Sequence, residues 1–271
     1  MEPNIARLED RLLVISHAVG APVYDFDFDL NFSCTHPYEF REGELCVLRI
    51  GAVRDYAAEY DEKADWGLRL VNSPAEHFRA SELEGWYPLI QDLTPATRIF
   101  QSLPSASEIE AQFEWPIFVK GSRQTSKHNP DLSIARDSSD YSRLCDGYRR
   151  DDILSWQRPV IRQFVELEPI AGDVPNKVRP SREFRTFWWN GELVGCGHYW
   201  YQLPVYGARD LDTGVAVARE AAKRVSVPFL VVDIARTTSG DWIVIECNDA
   251  QEAGYVGLPP AVLWQNILER I

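Results

Sequence analysis

Three oxygen-bearing side chains, Asp233, Glu246 and Asn248, lie in two apolar, β-rich runs within residues 228–255, separated by the turn pair Ser239-Gly240. Runs of this kind around a turn predict a hairpin. If Ser239-Gly240 forms a two-residue loop, Thr238 faces Asp241 and, further in, Asp233 faces Glu246. Residues two apart on a strand share a face, so Asn248 joins Glu246 there. Opposed like charges destabilise a sheet, and a buried carboxylate without a partner costs several kcal/mol. A bound cation is the simplest resolution, and carboxylate and amide oxygens suit Mg²⁺ or Mn²⁺. The plainer alternative is a surface hairpin whose acidic residues are solvated.

Upstream, the apolar run Trp115-Pro116-Ile117-Phe118-Val119 ends at Lys120, and a polar segment carrying Arg123, Lys127 and His128 follows to Pro130. Lysine is a mobile point charge and arginine a bidentate fork, so such a loop is suited to closing over phosphates; it reads equally as solvated surface. The run Pro159 to Pro169 is a strand that turns acidic at Glu166 and Glu168 as it leaves the core. Residues 181–195 form a second hairpin with an Asn190-Gly191 turn, the strongest short hairpin signal, and Glu183 and Arg185 share one face of it. Neither a Gly-x-x-x-x-Gly-Lys loop nor a Gly-x-Gly-x-x-Gly turn is present, which removes the commonest nucleotide-binding folds.

Taken in order, these parts resemble the ATP-grasp superfamily, in which an Asp on one strand and a Glu-x-Asn on the next hold magnesium ions. The Glu183-Phe184-Arg185 strand with its aromatic run and Asn-Gly turn resembles the clade named for one arginine and two lysines, and also the translation-factor assembly chaperones of the same fold. The resemblance implies ATP with Mg²⁺ or Mn²⁺ held by Asp233, Glu246 and Asn248, and phosphate oxygens held by Lys120 and Lys127. It places the backbone of Phe164 and Val165 on the adenine edge, Glu166 or Glu168 on the ribose, and Glu183 facing the nucleotide. Arg185, with Lys127, would act on the transferred phosphoryl group. The implied activity is an ATP-dependent carboxylate–amine ligase that forms an amide or peptide bond through an acyl-phosphate, with small-molecule carboxylate and amine substrates. An ATP-binding assembly factor with a protein partner, or a small-molecule kinase, is the alternative. The implied fold class is α/β with α+β lobes: a small N-terminal α/β domain over 1–95, a small nucleotide-clasping lobe over 96–165, and a metal-binding lobe over 166–271.

The elements that must position these residues are legible in part. A helix is predicted over Ile5 to Leu12, then a short buried strand at Leu13-Val14-Ile15-Ser16. Val23 to Leu30 alternates apolar and acidic residues, which reads as a half-buried strand with an acidic face, or as a patch for a cationic substrate. Cys46 to Ile50 is another strand. Leu68 to Val71 runs into a helix with Asn72 or Ser73 as N-cap and Pro74 at its first position. Strands alternating with helices point to a parallel α/β unit. Helices are predicted over Ala106 to Phe113, over residues 213–225 behind the metal hairpin, and over Ala261 to Arg270. Glu252-Ala253-Gly254-Tyr255 is a loop whose glycine permits close approach, and Tyr199-Trp200-Tyr201 is either core or cavity lining.

A chain of 271 residues, 45 % hydrophobic, buries a substantial core. Its net charge of -13 argues against a nucleic-acid surface, and no apolar run is long enough for a membrane helix. The first residues lack a signal pattern, so a cytoplasmic protein is expected. Five scattered cysteines, never spaced Cys-x-x-Cys, indicate neither a disulfide framework nor a zinc site.

Overall fold

A computed structural model describes residues 4–16, 26–123 and 129–271, and three sheets organise them. The first contains β1 (Asn4–Leu8), β2 (Leu12–Ser16), β3 (Cys34–Thr35), β4 (Glu44–Arg49) and β5 (Leu68–Leu70), in the order β3-β1-β2-β4-β5. The predicted first helix is instead the β1–β2 hairpin. Its turn holds Glu9 and Asp10 at φ 47° and 55°, values an α-helix does not admit, and every residue of β2 is buried. Only β2, β4 and β5 run parallel, with α1 (Tyr56–Asp65) between the last two. The expected acidic strand fails in its described part. Residues 26–30 enter a turn in which Asp27 Oδ1 accepts the Leu30 amide at 3.3 Å and Asp29 meets His36 at 2.9 Å; Asp25 lies outside the described residues.

The junction after β5 follows the capping rules. Ser73, not Asn72, caps α2 (Pro74–Ser81), and Glu76 returns a bond to the Ser73 backbone to complete a capping box. Asn72 is thereby left for another task. Wholly buried, it donates to the Phe229 carbonyl at 2.8 Å and accepts the Phe229 amide at 3.0 Å, tying the first sheet to a strand far along the chain.

The second sheet, in the order β6-β9-β7-β8, is antiparallel throughout: β6 (Thr97–Ile99), β7 (Ile117–Gly121), β8 (Ile134–Ala135) and β9 (Pro159–Gln163). Helices α4 (Ala106–Glu110) and α5 (Ser138–Tyr148) cover it through Ile109, Tyr141 and Leu144; α3 (Leu83–Ile90) lies earlier in the chain. The third sheet holds β10 (Glu183–Trp189), β11 (Glu192–His198), β12 (Phe229–Arg236) and β13 (Trp242–Asp249) in the antiparallel order β11-β10-β12-β13. The β10–β11 turn is the predicted Asn190-Gly191, at φ 47° and 81°.

Both faces of the third sheet are covered, so alternate residues of one strand enter different cores. Leu230, Val232 and Ile234 pack under α6 (Leu211–Val225) and α3, whereas Phe229 and Val231 pack with α7 (Pro260–Leu268) and with Leu8, Leu12 and Val47 of the first sheet. Asp233 shares the second of these faces by parity. All five cysteines are free thiols, and no helix among the described residues is long and apolar enough to cross a membrane.

Asn72→Ala is expected to lower the unfolding free energy by about 1–3 kcal/mol, since it strands the buried N–H of Phe229, whose carbonyl keeps the Ala250 amide at 3.2 Å. Urea denaturation of variant and parent measures it.

Candidate functional site

Asp233 does face Glu246, but by a different route from the one the turn suggested. The hairpin closes one residue earlier. Thr237 donates to the Asp241 carbonyl at 2.8 Å around a three-residue loop with Gly240 at φ 99°, so that Arg236 to Ile234 pair with Trp242 to Val244. A bulge at Ile245 then restores the register, and Asp233 meets Glu246 because the two offsets cancel. The carbonyl of Ile245 accepts from Arg162 Nη1 at 2.6 Å.

Each opposed carboxylate is matched by a buried cation from another strand. Arg185, which opposes Asp233 on β10, holds it with Nε and Nη2 at 2.8 and 2.7 Å; its Nη1 donates to Gly254 O at 3.0 Å, and the Tyr199 ring lies 5.4 Å from the guanidinium. Burial pulls the Arg185 pKa down, but Asp233 outweighs it and the guanidinium is pushed up. Lys120, on β7, donates to Glu246 Oε1. Asn248 is half-buried opposite Val231, one step along the Glu246 face. Among the described residues no three His, Cys, Asp or Glu side chains cluster as metal ligands. Two carboxylates and an amide are the donor types that suit a hard, oxygen-seeking ion such as Mg²⁺ or Mn²⁺; both Asp233 oxygens are engaged by Arg185, and of the three Glu246 lines the cleft.

A cleft of about 280 Å³ opens between the second and third sheets, with Phe118 and Ile134 on one wall, Ile243 and Ile245 on the other, and Lys120 and Glu246 both lining it. The segment leaving β9 closes one side: Phe164, Val165 and Glu166 line the cleft. Glu166 is exposed, and its carbonyl accepts the Thr238 amide at 3.0 Å. Glu168 is turned away, bound by Arg182 at 2.9 Å and Arg236 at 2.6 Å. Glu183 lines the cleft and accepts from Ser181 Oγ at 2.5 Å and Trp200 Nε1 at 2.9 Å.

The start of the basic segment, as far as Arg123, is described, and it is not solvated surface. Besides Lys120, Arg123 is buried: its Nη2 lies 2.7 Å from Glu252 Oε1 and 3.0 Å from His77 Nε2. Burial raises the Glu252 pKa, with Arg123 and His77 working against it. Lys127 lies outside the described residues.

Sequence reasoning passed over Arg162. It lines the cleft, donates Nε to Thr97 Oγ1 at 3.0 Å, and keeps Nη2 without a partner among the described residues. Burial depresses it to about 10 against the pull of Glu246. The signal was an arginine directly after the apolar pair Val160-Ile161 in a strand otherwise bound for the core.

This architecture defines a class. The sequence profile of the ATP-grasp domain, family 3 of the clade named for one arginine and two lysines, matches residues 84–267, well over half of the chain, and the chain belongs to that family. Solved structures with the same fold include a RimK domain protein ATP-grasp from Sphaerobacter thermophilus DSM 20745, with TM-score 0.53 and 15 % identity over 76 % of this chain and 72 % of that one. The D-alanine–D-alanine ligase from Bacillus anthracis complexed with ATP has TM-score 0.59 and 12 % identity over 83 % and 78 %. Cdc123 from Schizosaccharomyces pombe has TM-score 0.50 and 11 % identity over 66 % and 86 %. Sequence comparison with curated proteins finds no match.

Asp233→Asn leaves the Arg185 guanidinium buried without its counter-charge and is expected to cost about 3–5 kcal/mol of stability. The paired change Asp233→Leu with Arg185→Met is expected to recover most of that loss in chemical denaturation, because both charges leave together.

Proposed function

We propose that the protein is an ATP-dependent carboxylate–amine ligase acting through an acyl-phosphate. The observation that carries this reading is the meeting of Lys120 and Glu246 in a cleft between two sheets of an ATP-grasp chain. The fold shared with an ATP-bound D-alanine–D-alanine ligase supports it.

The apolar walls at Phe118, Ile134, Ile243 and Ile245 suit a purine ring, with backbone groups of Phe164 and Val165 offered to its edge. Glu166 is the carboxylate open to the ribose hydroxyls, since Glu168 is engaged by two arginines. Lys120 and Lys127 hold phosphate oxygens, and Glu183 faces the nucleotide. Asp233, Glu246 and Asn248 would hold Mg²⁺ or Mn²⁺, which when bound neutralises charge as the γ-phosphoryl group leaves. Arg185, kept cationic by Asp233, steadies the transferred group. A carboxylate oxygen of the first substrate attacks the γ-phosphorus and the bond to ADP breaks. An amine then attacks the acyl carbon, phosphate departs with the acyl bond, and the amine nitrogen gives up a proton.

Lys120 exchanges partners in this scheme. Phosphates give its ammonium a new anion and release Glu246 for the cation. Such an exchange couples nucleotide and cation binding through one side chain.

Phosphate release from ATP, screened over amino acids and carboxylates, tests the activity. Glu246→Gln and Lys120→Ala are expected to lose at least about 100-fold of substrate-dependent release while remaining folded; full turnover in both refutes the ligase reading. Lys120→Met is expected to tighten Mn²⁺ binding to the nucleotide-free protein several-fold, read by electron paramagnetic resonance, while weakening ATP binding. The fold shared with Cdc123 favours a second reading, an ATP-binding assembly factor. Slow turnover indifferent to any amine or carboxylate, with a protein partner retained in pull-downs, supports that one. ADP without free phosphate supports a kinase.

A further inference from the structure

Arg49 ends β4 in the first sheet, in the part of the chain before residue 84 where the family match begins. Its side chain is buried, with 1 % of the residue exposed. Nη1 lies within hydrogen-bond distance of three carbonyls in the loop after β13: Ala250 at 2.6 Å, Gln251 at 3.1 Å and Ala253 at 2.7 Å. The Tyr255 ring lies beneath the guanidinium, 4.5 Å away. One delocalised cation thus collects the orphan acceptors of an irregular turn that no ladder can pair.

Nearby residues grip the same loop from the same side. The Leu48 amide donates to Gln251 Oε1 at 2.9 Å and the Val53 amide to Glu252 Oε1 at 3.0 Å, while His77 Nδ1 lies 3.0 Å from Oδ2 of Asp249, the last residue of β13. The loop leads directly to the charged pairs. At one end it begins two residues after Asn248. At the other, Gly254 gives its carbonyl to Arg185 at 3.0 Å, and the remaining nitrogens of Arg185 hold Asp233. Among the described residues, none of this loop lines the nucleotide cleft.

We propose that Arg49 is a positioning residue for the cation seat: it fixes the loop over residues 250–254 and, through Gly254 and Arg185, the pose of Asp233. The inference rests on reading Asp233, Glu246 and Asn248 as cation ligands. It makes the N-terminal third of the chain a working part of the site, contributing the post on which the end of the metal-bearing hairpin is set. Outer-shell groups of this kind are worth about 10- to 100-fold in metal affinity.

The test uses full-length wild type, Arg49→Met and Arg49→Lys, with ADP binding measured by calorimetry and Mn²⁺ binding to the ADP-saturated protein by electron paramagnetic resonance. ADP affinity is expected to stay within about twofold in both variants, while Mn²⁺ affinity falls at least about tenfold in Arg49→Met. Arg49→Lys, whose ammonium keeps the charge with fewer fixed directions, is expected to lose about threefold. A residue with only a structural role lowers the melting temperature and leaves Mn²⁺ affinity of the folded protein unchanged; that result overturns the proposal. If Arg49→Met does not fold, wild-type Mn²⁺ affinity in Arg49→Lys overturns it. Wild-type protein that binds ADP but no Mn²⁺ refutes the ligand reading beneath, an outcome distinct from equal Mn²⁺ affinity in parent and variant, which refutes Arg49 alone.

Discussion

Two carboxylates face each other across the third sheet, and each is matched by a cation from a different strand. Most of the remaining structure serves that constraint. Asp233 is wholly buried among Val and Ile residues, so its charge is tolerated only because Arg185 meets it with two parallel bonds. Glu246 borders the cleft, and its partner Lys120 comes from another sheet entirely. One pair lies within the third sheet; the other joins the second sheet to the third at the cleft.

The packing explains why these charges keep their places. Both faces of the third sheet are covered, one by α6 and α3 and the other by the first sheet and α7, so the strands resist twisting out of register. Helices α2 and α3 follow the first sheet in sequence, yet Ala80, Leu83, Trp86 and Ile90 pack against the third. Asn72 adds a polar rivet between the two sheets by satisfying both backbone groups of Phe229. Around the end of β13 and the turn that follows it, Arg49, Arg123 and His77 converge on a turn that also closes itself, the Glu252 amide donating to the Asp249 carbonyl at 3.0 Å and the Gln251 amide to Asp249 Oδ1 at 2.9 Å.

Local signals were strong where local physics decides. The Asn190-Gly191 turn, the helix start at Pro74 with one of its two candidate caps, and the long helical pattern before Ser226 each depend on neighbours a few residues away, and each stands where the sequence predicts. The helix expected at Ile5 to Leu12 failed because short apolar runs carry no length to separate the two periods. What decided it was a partner: β2 is buried on both sides and pairs with β4, a strand some thirty residues on. Arg162 escaped, and Arg123 was read only as one cation of a loop, for a similar reason, since a cation in a strand or just past its end shows its partners, Ile245, His77 and Glu252, only after folding.

By itself the sequence determined the composition of the chemistry: opposed acids in one hairpin, an amide two residues on, and cations concentrated after one apolar strand, all set by residue type and by the period of two along a β-strand. Tertiary structure alone decided which cation meets which acid. It also decided that a bulge at Ile245 would undo the offset of the turn, and that Glu166 and not Glu168 would be open to the cleft. Spacing along a chain specifies faces, whereas charge pairing depends on distances of a few ångströms between residues 48 positions apart for Arg185 and Asp233 and 126 for Lys120 and Glu246, and only packing sets those.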